Sequence, residues 1–269
     1  MLNKDVIVAC DFPSAADVFA FLDHFKGIGR KPFVKIGMEL FYAEGPGMVR
    51  EIRRRGHSIF LDLKLHDIPN TVKSAMKVLG ALDVDMVNVH AAGGSEMMRA
   101  AREGLIAGFN AAAGTPDAEA KAAAEPNASG MDQGTLRTSK RLPKLIAVTQ
   151  LTSTSDQMLR DELLITTPMA QTIISYAQNA ASCGLDGVVC SPLEAATVHE
   201  HCPAGFLTVT PGVRFENSDV QDQKRVMTPS AARAAGSDYI VVGRPITRAE
   251  NPLAAYERAV GEFLNESLI

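Results

Sequence analysis

The sequence predicts an α/β protein folded as a single (β/α)8 TIM barrel, and three observations predict it. Eight short apolar runs alternate with eight segments of helical period. The runs are rich in Val and Ile and do not alternate strictly with polar residues, as expected of parallel strands buried on both faces. Charged and hydroxyl residues gather where those runs end, the rim at which such barrels carry their chemistry. Eight βα units in roughly 250 residues match a closed barrel.

The first strand is Val6–Ala9, with Asp11 following in register with Ile7 and Ala9. A helix over Ala15–Phe25 leads to the second strand, Phe33–Gly37, in which Lys35 shares a face with Phe33. A helix over Gly47–Arg55 precedes the third strand, Ser58–Leu63, whose end delivers Asp62 and Lys64. Next come a helix over Thr71–Leu82, the fourth strand Met86–His90, ending in Asn88 and His90, and a helix over Gly94–Gly108. The fifth strand, Leu145–Thr149, runs into Thr149–Ser155 (TQLTSTS) and a helix over Thr167–Ser182. The sixth strand, Gly187–Cys190, is followed by a helix over Leu193–His201. The seventh, Leu207–Thr210, runs into Thr210–Arg214 (TPGVR), with a helix over Thr228–Ala235. The eighth, Tyr239–Val242, runs into Val242–Thr247 (VGRPIT), and Pro252–Leu264 is the last helix.

One stretch breaks this rhythm. Asn110–Pro143 is rich in Ala, Gly, Ser and Thr, contains Pro116 and Pro126, and has no sustained apolar stripe. It reads as a flexible surface insertion between helix 4 and strand 5, within one catalytic domain spanning residues 1–269. An insertion there falls on the face opposite the chemistry; a lid or partner site is the alternative.

Composition bounds the function classes. With 269 residues, 46% of them hydrophobic, the chain can bury one large core. A net charge of −4 offers no basic patch to nucleic acid or an anionic membrane. No segment approaches the roughly 20 apolar residues of a membrane span, and the apolar run near the N-terminus is too short for a signal peptide. Cys10, Cys183, Cys190 and Cys202 form no CxxC pair and no metal-binding spacing. Reduced thiols in a cytoplasmic protein are expected.

The densest chemistry lies in Phe60–Val72 (FLDLKLHDIPNTV), where Asp62, Lys64 and Asp67 fall within six residues. Side chains two apart on a strand share a face, so Asp62 and Lys64 point together. A structural salt-bridge network is one reading. Lys35 and Asp11, converging from other strands, favour an alternating charge array that holds Lys64 as an ammonium ion beside crowded carboxylates. Such an ammonium can stabilise and protonate a carbanion formed beside it. Three carboxylates, Asp11, Asp62 and Asp67, would also suit Mg²⁺, but two lysines in the same place argue against a metal. The loops after strands 7 and 8 bind phosphate in many such barrels. Here they carry Gly212 and Arg214, and Gly243 and Arg244, a backbone that a phosphate can approach and guanidinium forks for its oxygens. His90 is expected to pack as a neutral ring, His66 to lie in a turn without a role, and His199 and His201 to sit on a helix surface.

Taken together, FVKIGMELFYAEG (33–45), DLKLHDIPNTV (62–72), VNVHAAGG (87–94), IAVTQLTSTS (146–155), GLDGVVCS (184–191), LTVTPGVR (207–214), DQKRVMTP (222–229) and YIVVGRPIT (239–247) resemble the orotidine 5′-phosphate decarboxylase family in its bacterial form. The DxKxxD spacing alone is shared with phosphosugar aldolases and decarboxylases of the same superfamily. The DLKLHDIPNTV form together with LTSTS and the two phosphate loops is specific. The resemblance implies loss of CO₂ from orotidine 5′-phosphate to give UMP, with no metal and no organic cofactor. It implies Lys64 as proton donor to C6 and Asp62 against the substrate carboxylate. Lys35 and Asp11 would contact the ribose, and Thr152 and Ser153 the pyrimidine. Arg214, Gln223, Gly243 and Arg244 would hold the phosphate, with Pro211–Arg214 forming a closing loop. Asp67, Ile68 and Thr71 would reach the neighbouring site of a homodimer. The alternatives are a Mg²⁺-dependent phosphosugar enzyme of the same superfamily and a non-catalytic nucleotide-binding barrel.

Overall fold

The computed structural model describes residues 4–113, 141–216 and 227–265. Eight strands close into one barrel: β1 (Asp5–Ala9), β2 (Phe33–Gly37), β3 (Ile59–Leu65), β4 (Met86–His90), β5 (Lys144–Val148), β6 (Gly187–Val189), β7 (Leu207–Thr210) and β8 (Tyr239–Val242). Every neighbouring pair is parallel, and β8 returns to β1 with Ile7 opposite Val241. The strands carry two kinds of buried side chain. Ile7, Phe33, Phe60, Met86, Ile146, Leu207 and Tyr239 fill the barrel interior as one cluster. Their alternate neighbours, such as Val6, Val34, Leu61 and Val87, join the larger core beneath the helices. Burial on both faces explains why the strands read as apolar runs rather than as alternations.

The helices are α1 (Ala15–Asp23), α2 (Met38–Arg54), α3 (Pro69–Gly80), α4 (Gly94–Ala113), α5 (Asp156–Asp161), α6 (Met169–Ser182), α7 (Ala195–His201), α8 (Pro229–Ala234), α9 (Arg244–Thr247) and α10 (Pro252–Leu264). Helix α2 begins nine residues before its expected start at Gly47, because Gly45 takes a positive φ of 69° and lets two helical pieces join across Pro46. Helix α4 continues through Asn110–Ala113, so the segment expected to open the insertion is helical at its start. Residues 114–140 of that insertion, with Pro116 and Pro126, lie outside the described residues. The short α5 was not anticipated; Ser155 caps it, its hydroxyl accepting the Met158 N–H at 3.2 Å. Helices α3 and α4 pack backbone to backbone: a Cβ at Gly104 or Gly108 would stand 2.1 or 1.9 Å from the Lys73 or Lys77 carbonyl oxygen. Among the described residues no helix is long and apolar enough to cross a membrane.

The N-terminal rim of the barrel is built on a repeated device. Asp85, Asp186 and Asp238 each precede an even-numbered strand. Their carboxylates accept the N–H of Ile59, Leu145 and Thr208 at 2.8, 2.7 and 2.9 Å. Their own N–H groups return to the carbonyls of the same three residues. Each carboxylate also meets one basic side chain from a helix: Arg53 of α2 at 2.7 Å, Arg102 of α4 at 2.7 Å and His199 of α7 at 3.2 Å. His199, expected as a surface residue, is therefore half-buried against Asp238 and Thr208, whereas His201 is exposed as expected.

Candidate active site

The opposite rim, at the C-terminal ends of the strands, gathers a different set of charges. Asp62 and Lys35 follow Phe60 and Phe33 in the lumen register, and Asn88 follows Met86. The Lys35 ammonium lies 2.9 Å from Asp11 and 3.4 Å from Asp62. The Lys64 ammonium lies 2.8 Å from the other oxygen of Asp62, which also accepts the Asn88 amide at 2.6 Å. Asp11–Lys35–Asp62–Lys64 is thus the alternating array expected from the sequence.

Burial alone would raise the pKa of Asp62, but the ammonium ions of Lys35 and Lys64 outweigh it and hold the carboxyl below its ordinary range. Burial likewise opposes charge on Lys35, and the carboxylates of Asp62 and Asp11 outweigh it, so its pKa is raised. Lys35 and Asp62 are therefore both held in their charged forms near neutral pH. His90 is half-buried, and desolvation with the neighbouring His66 and Lys64 lowers its pKa, in keeping with the neutral ring expected.

Strand β3 delivers Lys64 by an irregular path. Leu61 pairs with Val87 and Leu65 with Val89, so three residues of β3 stand against Asn88 alone. Lys64 adopts a left-handed backbone with φ 51°, uncommon for a side-chain-bearing residue. Its N–H donates to the Asn88 side-chain oxygen at 2.8 Å. The strand therefore runs two residues beyond its expected end at Leu63.

Two adjoining cavities open on this rim. One, of about 360 Å³, is lined by Lys35, Asp62 and Lys64 on one side and by Gln150, Leu151, Thr152 and Ser153 on another, over apolar walls from Phe60, Val148, Val189, Val209 and Val241. Cys190 also lines it, and burial pushes its thiol pKa well up, leaving a neutral sulfur there. The other, of about 500 Å³, is lined by Asp11, Lys35, Pro211, Gly212, Arg214, Gly243, Arg244 and Arg248. Lys35, Pro211 and Val241 border both, so a ligand can run from one into the other. Arg214 is buried, and its guanidinium donates to the Val213 carbonyl at 2.9 Å.

Not every expected residue joins this cleft. Asp67 is exposed beyond β3, accepts the Ile68 N–H at 2.6 Å, and makes no ion pair with Lys64 or Lys35. Ile68 and Thr71 are exposed at the start of α3 and line neither cavity. Gln223 lies outside the described residues. No group of three metal-ligating side chains occurs among the described residues, Lys35 standing between Asp11 and Asp62. Sequence reading assigned no role to Asn88, Gln150, Leu151, Thr247 or Arg248, all of which touch the array or the cavities. For Asn88 a signal existed: an amide in the lumen register of a buried strand needs partners.

A profile of the Orotidine 5'-phosphate decarboxylase / HUMPS family matches residues 4–259. The chain belongs to this family. It is 52% identical to an orotidine 5'-phosphate decarboxylase of Geobacillus thermodenitrificans over 262 residues, 97% of this chain and 98% of that one. Among solved structures, an orotidine 5'-phosphate decarboxylase from Lactobacillus acidophilus superposes with a TM-score of 0.78 at 42% identity, covering 97% of this chain and 99% of that one. An uncharacterized conserved protein from Geobacillus kaustophilus superposes with a TM-score of 0.75 at 47% identity, covering 96% and 99%. Membership agrees with the fold: the family match runs through all eight strands.

Proposed function

We propose that this chain decarboxylates orotidine 5′-phosphate to UMP, the terminal step of making a pyrimidine nucleotide, using its own side chains and no cofactor. The observation that carries the reading is the Asp11–Lys35–Asp62–Lys64 array facing a cavity that continues into an arginine-lined one. A nucleotide monophosphate matches both halves. Its phosphate suits Arg214, Arg244 and the backbone at Gly243, with Gln223 as a further donor and Pro211–Arg214 as the loop that closes. Its pyrimidine suits the apolar walls beside Thr152 and Ser153, and its ribose suits Lys35 and Asp11.

Departure of CO₂ leaves an electron pair at C6 in the ring plane, where no π system can accept it. Stabilisation must then come from a fixed positive charge beside C6. Lys64 supplies it and afterwards donates the proton to C6. Asp62 stands against the substrate carboxylate and holds the Lys64 ammonium at 2.8 Å. Phosphate binding, remote from C6, drives closure and orients the ring.

The active unit in this proposal is a cytoplasmic homodimer. Asp67, Ile68 and Thr71, exposed here, would complete the neighbouring subunit's site. Ile68 exposes 68% of its surface.

The deciding assay is the absorbance change of orotidine 5′-phosphate with purified protein in EDTA, with UMP identified as product. Metal-independent conversion is expected. Folded protein that leaves this nucleotide intact but acts on a phosphosugar with Mg²⁺ would move the chain to the other branch of the family. Tight UMP binding without turnover would make it a binding protein.

A further inference from the structure

We propose that Asn88 is the positioning residue that sets Lys64 for proton transfer; the inference rests on the decarboxylase reading and deepens it. Asn88 is 1% exposed and touches the array at two points. Its amide N–H donates to Asp62 at 2.6 Å, and its amide oxygen accepts the Lys64 N–H at 2.8 Å. The orientation of the amide is dictated by its partners: a backbone N–H can only donate, and an ionised carboxylate can only accept.

These two bonds act on different parts of one catalytic pair. The first fixes the Asp62 oxygen that the Lys64 ammonium also contacts at 2.8 Å. The second holds the Lys64 backbone where the ladder between β3 and β4 is interrupted. The Lys64 N–H has lost its strand partner there, and its φ of 51° is unfavourable for a lysine. Without an acceptor at that point, nothing in the ladder opposes relaxation of Lys64 to an ordinary extended backbone. Such a relaxation would swing the ammonium away from Asp62. Asn88 replaces the missing ladder bond from the neighbouring strand, so the strain is held by a side chain and not by the strand itself.

Few side chains can do both jobs. Leu matches the size of Asn and does neither. Asp accepts from the Lys64 N–H, but as a carboxylate it faces Asp62 with like charge. Protonated, it donates to Asp62 and accepts from Lys64, reproducing the amide. The groups around position 88 are Asp62 and Lys64 of β3, His90 two residues on in its own strand and the apolar Ile146 opposite it on β5, with Lys35 of β2 paired to the far oxygen of Asp62. All are present in the wild type, so the ratio of variant to wild type isolates the new carboxyl.

The test compares Asn88→Leu, Asn88→Asp and wild type for kcat, KM and UMP affinity across pH. Asn88→Leu is expected to lower kcat about 100-fold, the scale of an ångström-sized misplacement of a reacting group. KM and UMP affinity should change less than about threefold, because the phosphate and ring contacts lie elsewhere. Asn88→Asp should match that loss at high pH. Its kcat relative to wild type should then climb as pH falls, by up to about tenfold per unit, as Asp62 and the new carboxyl at position 88 come to share one proton. Folded Asn88→Leu with kcat within threefold of wild type overturns the proposal. So does a loss of UMP affinity in step with kcat, which would mark a purely structural role. If Asn88→Leu does not fold, Asn88→Asp decides alone, and a flat ratio across pH overturns the proposal. Wild-type protein that does not convert orotidine 5′-phosphate refutes the decarboxylase reading instead, before any variant enters.

Discussion

Both rims of this barrel set aspartates against basic side chains and use them in opposite ways. At the N-terminal rim each carboxylate has one basic side chain and one strand end to satisfy. Asp85, Asp186 and Asp238 pair with Arg53, Arg102 and His199 while capping the N–H groups of Ile59, Leu145 and Thr208. Their hydrogen bonds serve the ladder. At the C-terminal rim Asp62 is shared by Lys35, Lys64 and Asn88 and caps no strand. The lysine beside it has a strained backbone. The difference separates interactions that hold a fold from interactions that hold a charge distribution ready.

The sharpest break between the rims should come from Lys64→Ala. Turnover should fall by at least about 10⁴-fold, since proton donor and positive charge vanish together. Its melting temperature should stay near that of wild type, because Asp62 keeps Lys35 and the Asn88 amide as partners. A variant that retained near-normal turnover would remove Lys64 from the mechanism.

The converse is expected of Asp238→Ala. The side chain of Asp238 is 4% exposed and its loss leaves the Thr208 N–H without its carboxylate. Breaking such a buried network costs about 3 kcal/mol, a drop of roughly 6–12 °C in a domain of this size. The kcat of the folded fraction should be unchanged. A stable variant with impaired kcat would show that the rims are not separable in this way.

How much of this was legible beforehand differs between the rims as well. The strands could be read because Val- and Ile-rich runs such as Val6–Ala9 and Tyr239–Val242 are apolar on both faces. Lys35, Asp62 and Lys64 could be placed on the lumen side by counting in twos from Phe33 and Phe60. The bulge at Lys64 could not, because it depends on Asn88 of another strand supplying an acceptor. The N-terminal clamps were equally hidden: Arg53 and Asp85, or Arg102 and Asp186, are paired only by the topology. The helical piece from Met38, joined across the non-helical Gly45 to the helix expected from Gly47, was also not anticipated.

Two smaller effects sharpen the contrast within the C-terminal rim. Arg244→Ala should raise KM about 30-fold, the loss of roughly 2 kcal/mol from a charged hydrogen bond to phosphate. kcat and melting temperature should change little; unaltered kinetics with the intact nucleotide would take Arg244 out of the phosphate site. Gly37→Ala should cost about tenfold in kcat/KM. A Cβ at that position would stand 3.0 Å from the Asp11 oxygen and 3.3 Å from the Lys35 nitrogen, so the pair must shift. Wild-type kcat/KM in this variant would mean that the Asp11–Lys35 contact tolerates displacement.

The smallest expected effect is a pH dependence that separates the rims without touching the chemistry. His57, at the N-terminal rim, is 1% exposed, with its Nδ1 3.0 Å from the Pro32 carbonyl. Burial lowers its pKa, the Pro32 bond opposes this, and Lys31 and Arg55 reinforce it. An unfolded histidine takes up its proton near pH 6.5, whereas the folded one resists until lower pH. Stability should therefore fall as pH drops from about 6.5 towards the folded pKa, and His57 should contribute no slope above that. Asp62 acts in a separate window. Its pKa is depressed, so its contribution is intact above the ordinary carboxylate range near pH 3.9 and is lost only below it, as pH falls through the folded value. Denaturant melts at pH 7 and pH 5 should thus show a shallower loss for His57→Asn than for wild type, with Asp62 silent over that interval. Equal slopes for the two proteins would mean that the imidazole takes up its proton alike in the folded and unfolded chain, so that burial at the N-terminal rim does not depress its pKa.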